Sequence, residues 1–234
     1  MNNIIKSVHF RWAFLFYEET SMITKEQLLT LDTLPHIKDI SLKLYKEFCV
    51  DILFKRRFHY YFTDGTDMIV EFREWGVYHM LSIQHIDYTI PKDEFFHRID
   101  NGLELSDFTI NNSIKQRYRK EKERITMFAC VYSSLRYGRV FYLPERYVPN
   151  TKNVRVDYLV QRIVNGKGLN LGIRYEDGRF IPLTILISKS SNPDKYVDIK
   201  NQKVVSQLLI TDIESGDEIE NIIYTDDFIV HMSD

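Results

Sequence analysis

The chain has 234 residues, of which 44% are hydrophobic, 14% aromatic and 27% charged, with a net charge of −2. Disordered chains carry too little apolar surface to offset the entropy of ordering, so this composition excludes them and predicts one folded domain. The two cysteines, Cys49 and Cys130, are too few for a disulfide framework or a thiolate metal site.

The first 21 residues are predicted to be an arm outside the domain. Their apolar run from Val8 to Tyr17 contains Arg11 and lacks a small-residue cleavage site, so a signal peptide or membrane span fits poorly. Met22 opens a segment with the character of a second protein start. We therefore expect residues 1–21 to be an added arm or start-site extension, and the protein to be cytoplasmic without a membrane partner.

Helical patterns come first along the chain. Apolar residues recur at helical spacing from Thr24 to Glu47, where Thr24 and Gln27 form a capping-box pattern and Pro35 separates two predicted helices. Trp75–Ile86 is predicted to be partly helical. Two more helices are predicted at Lys92–Asn101 and Asn112–Tyr137, each ended by the glycine that follows it.

Strand patterns dominate the second half. A hairpin is predicted earlier, from Arg57–Thr63 and Met68–Arg73, and Asp177-Gly178 marks another. The later predicted strands are Val140–Leu143, Asp157–Val164, Leu169–Tyr175, Phe180–Ile187 and Val204–Ile213. This order predicts an α+β fold over residues 22–213, in which N-terminal helices pack on an antiparallel sheet formed mainly by the C-terminal half.

The C-terminal segment, residues 214–234, is predicted to be acidic. From Asp212 onward there are eight acids and no Lys or Arg, so the preceding chain holds 25 of the 33 acids against 31 bases, a charge of about +6. A basic body suits a polyanionic partner. The acidic C-terminal segment could cover this basic surface, or it could be an ordinary solvated segment.

Signatures of cofactor and metal chemistry are missing from the sequence. It contains no P-loop, no dinucleotide-binding glycine pattern, no nucleophile elbow and no zinc-protease helix. His79 and His85 lie six residues apart, which rotates them about 240° from one another on a helix. We therefore predict neither a cofactor nor a metal site.

The segment Val70–Ile83, VEFREWGVYHMLSI, is the most distinctive in the chain. It resembles the aromatic–x–His–Leu–Leu–Gly–Leu element of the phage-associated barnase–EndoU–colicin–RelE-like (BECR) nuclease families, with Ser82 where that pattern has Gly. Further segments match in the same order: Phe95–Gly102, Glu123-Arg124-Ile125, and Pro182-Leu183-Thr184 with Tyr196 and Lys203. Ile185 follows Thr184 where the pattern has Ser.

The resemblance implies a BECR-like fold and a toxin-type, metal-independent endoribonuclease encoded by a phage or another mobile element. Such an enzyme attacks the phosphate with the neighbouring 2′-hydroxyl and needs a base, an acid and stabilising cations. Histidine suits the acid–base work because its pKa is about 6.5. The implied catalytic residues are His79, Arg124, Tyr196 and Lys203, and the implied substrate-binding residues are Thr184, Lys189, Lys195 and His85.

Each candidate also has a structural interpretation. His79 equally suits a half-buried residue at a strand–helix junction. Arg124 ends a run from Lys115 with six bases and two acids, which is either a phosphate-tracking face or a solvated helix surface. The candidates after Thr184 fit ordinary strand-end and loop residues.

The expected partner is RNA, such as tRNA or ribosome-associated RNA, with an antitoxin or another protein as a second candidate partner. The alternative function is a catalytically inactive interaction protein of phage–host conflict that keeps the same fold. A small-molecule enzyme is a third possibility, for which the sequence offers no cofactor cradle.

Overall fold

Residues 22–225 are described by a computed structural model, so the predicted arm and the last nine residues lie outside it. Within this range the α-helices are α1 (Leu42–Asp51), α2 (Glu74–Met80), α3 (Ile83–Ile86), α4 (Phe95–Asp100), α5 (Asn112–Phe128) and α6 (Val131–Tyr137). The strands are β1 (Arg56–Phe62), β2 (Asp67–Glu71), β3 (Arg139–Tyr142), β4 (Tyr158–Val164), β5 (Lys167–Glu176), β6 (Arg179–Ser188), β7 (Gln202–Lys203), β8 (Val205–Asp212) and β9 (Glu218–Ile223).

The predicted α+β layout is confirmed. Among the described residues, nine strands form one sheet in the order β7-β3-β4-β5-β6-β2-β1-β8-β9, and seven of them follow Gly138. Neighbouring strands are antiparallel except β2 and β6, which run parallel and meet at Val70 and Phe180. Because β7 and β8 are separated only by Val204 yet lie far apart in the strand order, the sheet must curl back on itself.

The curl of the sheet surrounds α6. Tyr60 of β1 donates its hydroxyl to the Leu135 carbonyl at 2.6 Å, and the Tyr132 ring meets Phe58 at 5.6 Å. On the other side, the Arg162 guanidinium of β4 donates to the Ser133 carbonyl at 2.9 Å. The core therefore lies between α6 and the inner face of the sheet.

The prediction of one helix over residues 112–137 is wrong, because the chain turns between Phe128 and Val131. The amphipathic α5 keeps a charged face in solvent, whereas most of α6 is buried, so the chain must change direction to enter the core. The hydroxyls of Ser133 and Ser134 inside the core are satisfied by the carbonyls of Leu31 and Cys130.

The first helix predicted after Thr24 is also wrong. The Thr24–Gln27 capping box does form, with hydrogen bonds of 2.8 and 3.3 Å, but it opens only a single 3-10 turn. Backbone groups that would continue a helix bond elsewhere: the Leu31 carbonyl accepts from Ser133 at 2.6 Å, and the Leu34 amide donates to Asn165 at 2.8 Å. The second predicted helix is present as α1.

Both predicted hairpins are present. β1 and β2 pair on either side of the turn at residues 63–66, and β5 and β6 pair around Asp177-Gly178. Asp177 and Gly178 have φ of 51° and 82°, the left-handed pair that a two-residue type I′ turn requires. This second turn places Arg174, Glu176 and Arg179 at the same end of the two strands.

Part of the acidic C-terminal segment belongs to the sheet. Glu218–Ile223 forms β9, which pairs with β8 at the sheet edge, and Glu220 forms an ion pair with Arg136. No helix within residues 22–225 is both long and apolar enough to cross a bilayer.

Candidate functional site

A polar cleft lies where α2 meets the β5–β6 turn. It is lined by Arg73, Trp75, His79, Lys92, Arg174, Glu176, Asp177, Arg179 and Ile181. These residues come from three separate stretches of the chain, and four of the nine are permanent cations. We call this the His79 cleft.

Helix α2 is held against β6 by a glycine. A Cβ added at Gly76 would lie 2.5 Å from the Pro182 carbonyl oxygen and 3.6 Å from the Ile181 side chain. Only a residue without a side chain allows this approach, which places the next turn of the helix, with His79, over the β5–β6 turn.

His79 is a half-buried histidine among positive charges. Burial lowers its pKa below the ordinary value of 6.5, and the nearby charges of Lys92, His85 and Arg174 lower it further. Its ring is also packed, with the Tyr78 ring 5.4 Å and the Trp75 ring 6.3 Å away, centroid to centroid. At neutral pH the imidazole is therefore neutral, the form that accepts a proton.

The arginines of the cleft are organised by Glu71, whose side chain is only 1% exposed. Its carboxylate forms ion pairs with Arg57 at 2.9 Å, with Arg73 at 3.7 Å and with Arg179. One buried carboxylate thus orients three guanidinium groups that each keep a solvent-exposed portion. Two of them, Arg73 and Arg179, line the cleft.

The cleft keeps a positive excess after its ion pairs are counted. Arg174 is paired with Glu176 at 2.7 Å, and Asp177 adds one more negative charge. Lys92 has no ion-pair partner within residues 22–225. The residues that line the cleft thus include four permanent cations against two carboxylates, the charge balance expected of an anion-binding site.

Arg124 lies close to the end of α2 but not among the residues that line the cleft. It donates to the Ser82 hydroxyl at 2.7 Å and is paired with Glu121 at 3.4 Å. Ser82 is fully buried with a left-handed backbone, φ 59°, a conformation for which glycine is best suited. Arg124 therefore holds the turn that follows His79. His85 lies one turn further along the chain, on the exposed side of α3.

Lys203 and Thr184 lie away from His79. Lys203 in β7 pairs with Asp64 at 2.5 Å in the β1–β2 turn, whereas Arg73 of the cleft follows the opposite end of β2, a strand about 13 Å long. Thr184 is in the middle of β6, cross-strand from Gly172.

Lys189, Lys195 and Tyr196 also lie far from the His79 cleft. They belong to the loop that follows β6, and the cleft is at the other end of this strand, whose ten residues span about 30 Å. Tyr196 packs on a small apolar cluster on the outer face of the sheet, and the Lys195 ammonium lies 4.9 Å from its ring centre. The structure therefore does not bring His79, Arg124, Tyr196 and Lys203 together in one cleft.

The residues that do surround His79 were missed from the sequence. Arg174 and Arg179 flank the Asp177-Gly178 turn, so the predicted hairpin already places them near one another. Nothing local indicates that this turn lies beside α2, because that depends on the pairing of β2 with β6. Lys92 lies outside every motif of the sequence, and Glu71 lies within the Val70–Ile83 segment at a position that its pattern does not single out.

Metal-binding clusters of three or more His, Cys, Asp or Glu side chains are absent from the described range 22–225. Searches with this chain against protein-family models, curated proteins and solved structures return no match. The function must therefore be argued from the chemistry of the His79 cleft.

Proposed function

We propose that the protein is a metal-independent endoribonuclease that cleaves RNA in the His79 cleft. The observation that carries this proposal is a half-buried histidine of lowered pKa next to a cluster of guanidinium groups. Phosphodiester cleavage without a metal needs this combination, a neutral base at neutral pH and fixed cations for the charge that develops on phosphate.

The proposed reaction is an intramolecular transfer. The neutral His79 imidazole takes the proton of a ribose 2′-hydroxyl, and the 2′-oxygen attacks the adjacent phosphorus. The bond from phosphorus to the 5′-oxygen breaks, and Lys92 supplies a proton to that leaving oxygen. The products are a 2′,3′-cyclic phosphate and a 5′-hydroxyl end, and DNA is not a substrate because it lacks the nucleophile.

The arginines contribute charge and orientation in this scheme. Arg73 and Arg179, anchored by Glu71, present guanidinium groups that can hold phosphate oxygens in a bidentate manner. Arg124 is a positioning residue, since it acts on His79 through the Ser82 turn. This assignment keeps His79 and Arg124 from the sequence-based candidates and replaces Tyr196 and Lys203 with the cations of the cleft.

We also propose a toxin-type role in the cytoplasm, as the sequence resemblance implies. The buried free thiols of Cys49 and Cys130 suit a reducing compartment, and burial raises the pKa of Cys130 to about 12, which makes that thiol unreactive. A protein antitoxin would then act by covering the His79 cleft.

The direct test is cleavage of a broad pool of cellular RNA by the purified, folded protein. We expect activity that survives chelator and leaves 2′,3′-cyclic phosphate ends, which phosphatase treatment and end-labelling distinguish from 3′-hydroxyl ends. Protein that binds the pool without cutting it would favour the alternative, a catalytically inactive interaction protein. If the protein neither bound nor cleaved any RNA of the pool, an RNA function would be refuted altogether.

The pH dependence of cleavage tests the role of His79. A base works only when it is unprotonated. On the acidic side of the pH–rate profile, kcat/KM should therefore fall as the pH drops through the pKa of His79, and it should reach a plateau at pH values above that pKa. Because burial and Lys92 lower that pKa, the midpoint should lie below the ordinary 6.5. A midpoint above 6.5 in the pH–rate profile would contradict the assignment of His79 as the base.

A further inference from the structure

A second cleft adjoins the His79 cleft and shares two of its residues. Arg174 and Glu176 line both, and the second cleft is completed by Glu145, Arg146, Arg155 and Tyr175. The two clefts therefore adjoin at the last residues of β5. Arg174, which lines both, lies on the way from His79 to the second cleft for a chain-like ligand.

Tyr175 presents an aromatic ring at this second cleft. Tyr175 is 50% exposed, which is unusual for so large a side chain on a paired strand. The Tyr175 ring packs against the Phe180 ring, with 5.0 Å between the centroids, and the Phe180 ring packs in turn against the Tyr158 ring at 5.3 Å. One part of the Tyr175 ring is therefore fixed against the core while the remainder faces solvent.

The backbone under Tyr175 is fixed as well. Its amide donates to the largely buried Asp157 carboxylate at 2.6 Å. The same carboxylate accepts two hydrogen bonds from Arg146, at 2.5 and 3.1 Å, so this arginine is neutralised and serves the architecture of the cleft. A rigid exposed aromatic ring is the kind of platform on which a nucleobase stacks without losing side-chain freedom.

Arg155 provides the charge that such a platform needs. It is exposed and has no ion-pair partner in the described part of the chain, and its backbone is held by a bridge to Tyr147. Glu145 also lines this cleft, so the net charge here is smaller than in the His79 cleft. One free guanidinium beside one exposed ring matches a single nucleotide, with its phosphate on Arg155 and its base on Tyr175.

We propose that this second cleft is a subsite for one unpaired nucleotide next to the reacting phosphate, and that the substrate of the His79 cleft is therefore single-stranded RNA. The inference rests on the proposed function and specifies its substrate. In a duplex both faces of each base are covered by neighbouring bases, so Tyr175 has no face to stack on. In a loop or a single strand the face is available.

Binding of a fluorescent, fully 2′-O-methylated RNA strand, followed by anisotropy, tests the subsite without requiring cleavage. We expect Tyr175→Ala to raise the Kd roughly 5- to 150-fold, the loss of one base–aromatic stack. Tyr175→Phe keeps the ring and should bind within about twofold of the unmodified protein, the behaviour that marks stacking. Arg155→Ala should make the slope of log Kd against log salt concentration shallower by about one unit, the loss of about one phosphate contact.

Three controls sharpen the result. Tyr88→Ala removes a tyrosine that is 74% exposed and lines neither cleft, and RNA binding by this variant should be unchanged. A strand with an abasic position at the subsite should bind the unmodified protein and Tyr175→Ala equally well. A duplex of the same sequence should bind more weakly and be indifferent to Tyr175→Ala.

The outcomes separate this inference from the proposed function. If the protein binds the strand but Tyr175→Ala binds as well as the unmodified protein, the subsite is overturned while cleavage at His79 stands. If Tyr175→Ala weakens binding but an unmodified ribose strand is never cut, the subsite stands and the nuclease proposal fails. If no strand binds at all, both are overturned.

Discussion

His79→Ala is expected to lower the rate of RNA cleavage by about 100- to 10,000-fold while the protein stays folded. This is the usual contribution of a positioned general base, and the cleft-lining residues include no second histidine that could replace it. The side chain is only half buried, so its removal should have little effect on stability. Single-turnover cleavage of a labelled RNA and thermal unfolding of the same preparation measure both quantities.

The matched control for this substitution is His97→Ala. His97 is an exposed histidine on α4, bonded to Asn101 and outside the cleft, so cleavage should be unchanged. If His79→Ala retained full cleavage, or lost activity only because it unfolded, His79 would be a structural residue of the strand–helix junction. Retention of RNA binding by the folded variant would further separate catalysis from affinity.

Gly76→Ala is expected to destabilise the fold and to lower cleavage by about 100-fold, although helix propensity alone predicts the opposite. Replacing glycine by alanine in a helix ordinarily stabilises by about 1 kcal/mol. Here the new Cβ would lie 2.5 Å from the Pro182 carbonyl oxygen, a backbone atom that cannot rotate away. Overpacking of this kind costs about 1–3 kcal/mol, which outweighs the propensity gain.

The effect on cleavage follows because α2 carries His79. To relieve the contact with Pro182, α2 must move away from β6, and a displacement of about 1 Å at a catalytic group can cost about 100-fold in rate. Denaturant unfolding and kcat measured together test this expectation. Gln116→Ala, on the exposed face of α5, is the control and should leave both unchanged. A Gly76→Ala protein more stable than the parent would show that the helix is not held this closely.

The local structure of this protein was largely predictable from its sequence. The α+β class, both hairpins and most of the later strands follow from period-two patterning and from turn residues such as Asp177-Gly178, whose backbone requirements are local. The errors occurred where distant groups competed for the backbone. Leu31 and Leu34 bond across the chain instead of continuing a helix, and the turn after Phe128 sends α6 into the core.

The candidate site was predictable only in part. His79 stood out because it lies in the most distinctive segment of the chain, and the residues around the Asp177-Gly178 turn were already close to one another in the predicted hairpin. What the sequence does not contain is the contact that joins the two, namely the parallel pairing of β2 with β6 at Val70 and Phe180. Parallel neighbours have no short connecting turn and therefore no local signal.

By itself, then, the sequence determined most of the helices and strands and singled out His79, because those properties depend on residues a few positions apart. Only the tertiary structure decided which cations surround that histidine. Lys92, Arg174 and Arg179 reach His79 because the sheet curls and α2 packs on β6 through Gly76, an arrangement set by the packing of the whole core. The same packing places Lys203 beside Asp64 and Tyr196 on the outer face of the sheet, both away from His79.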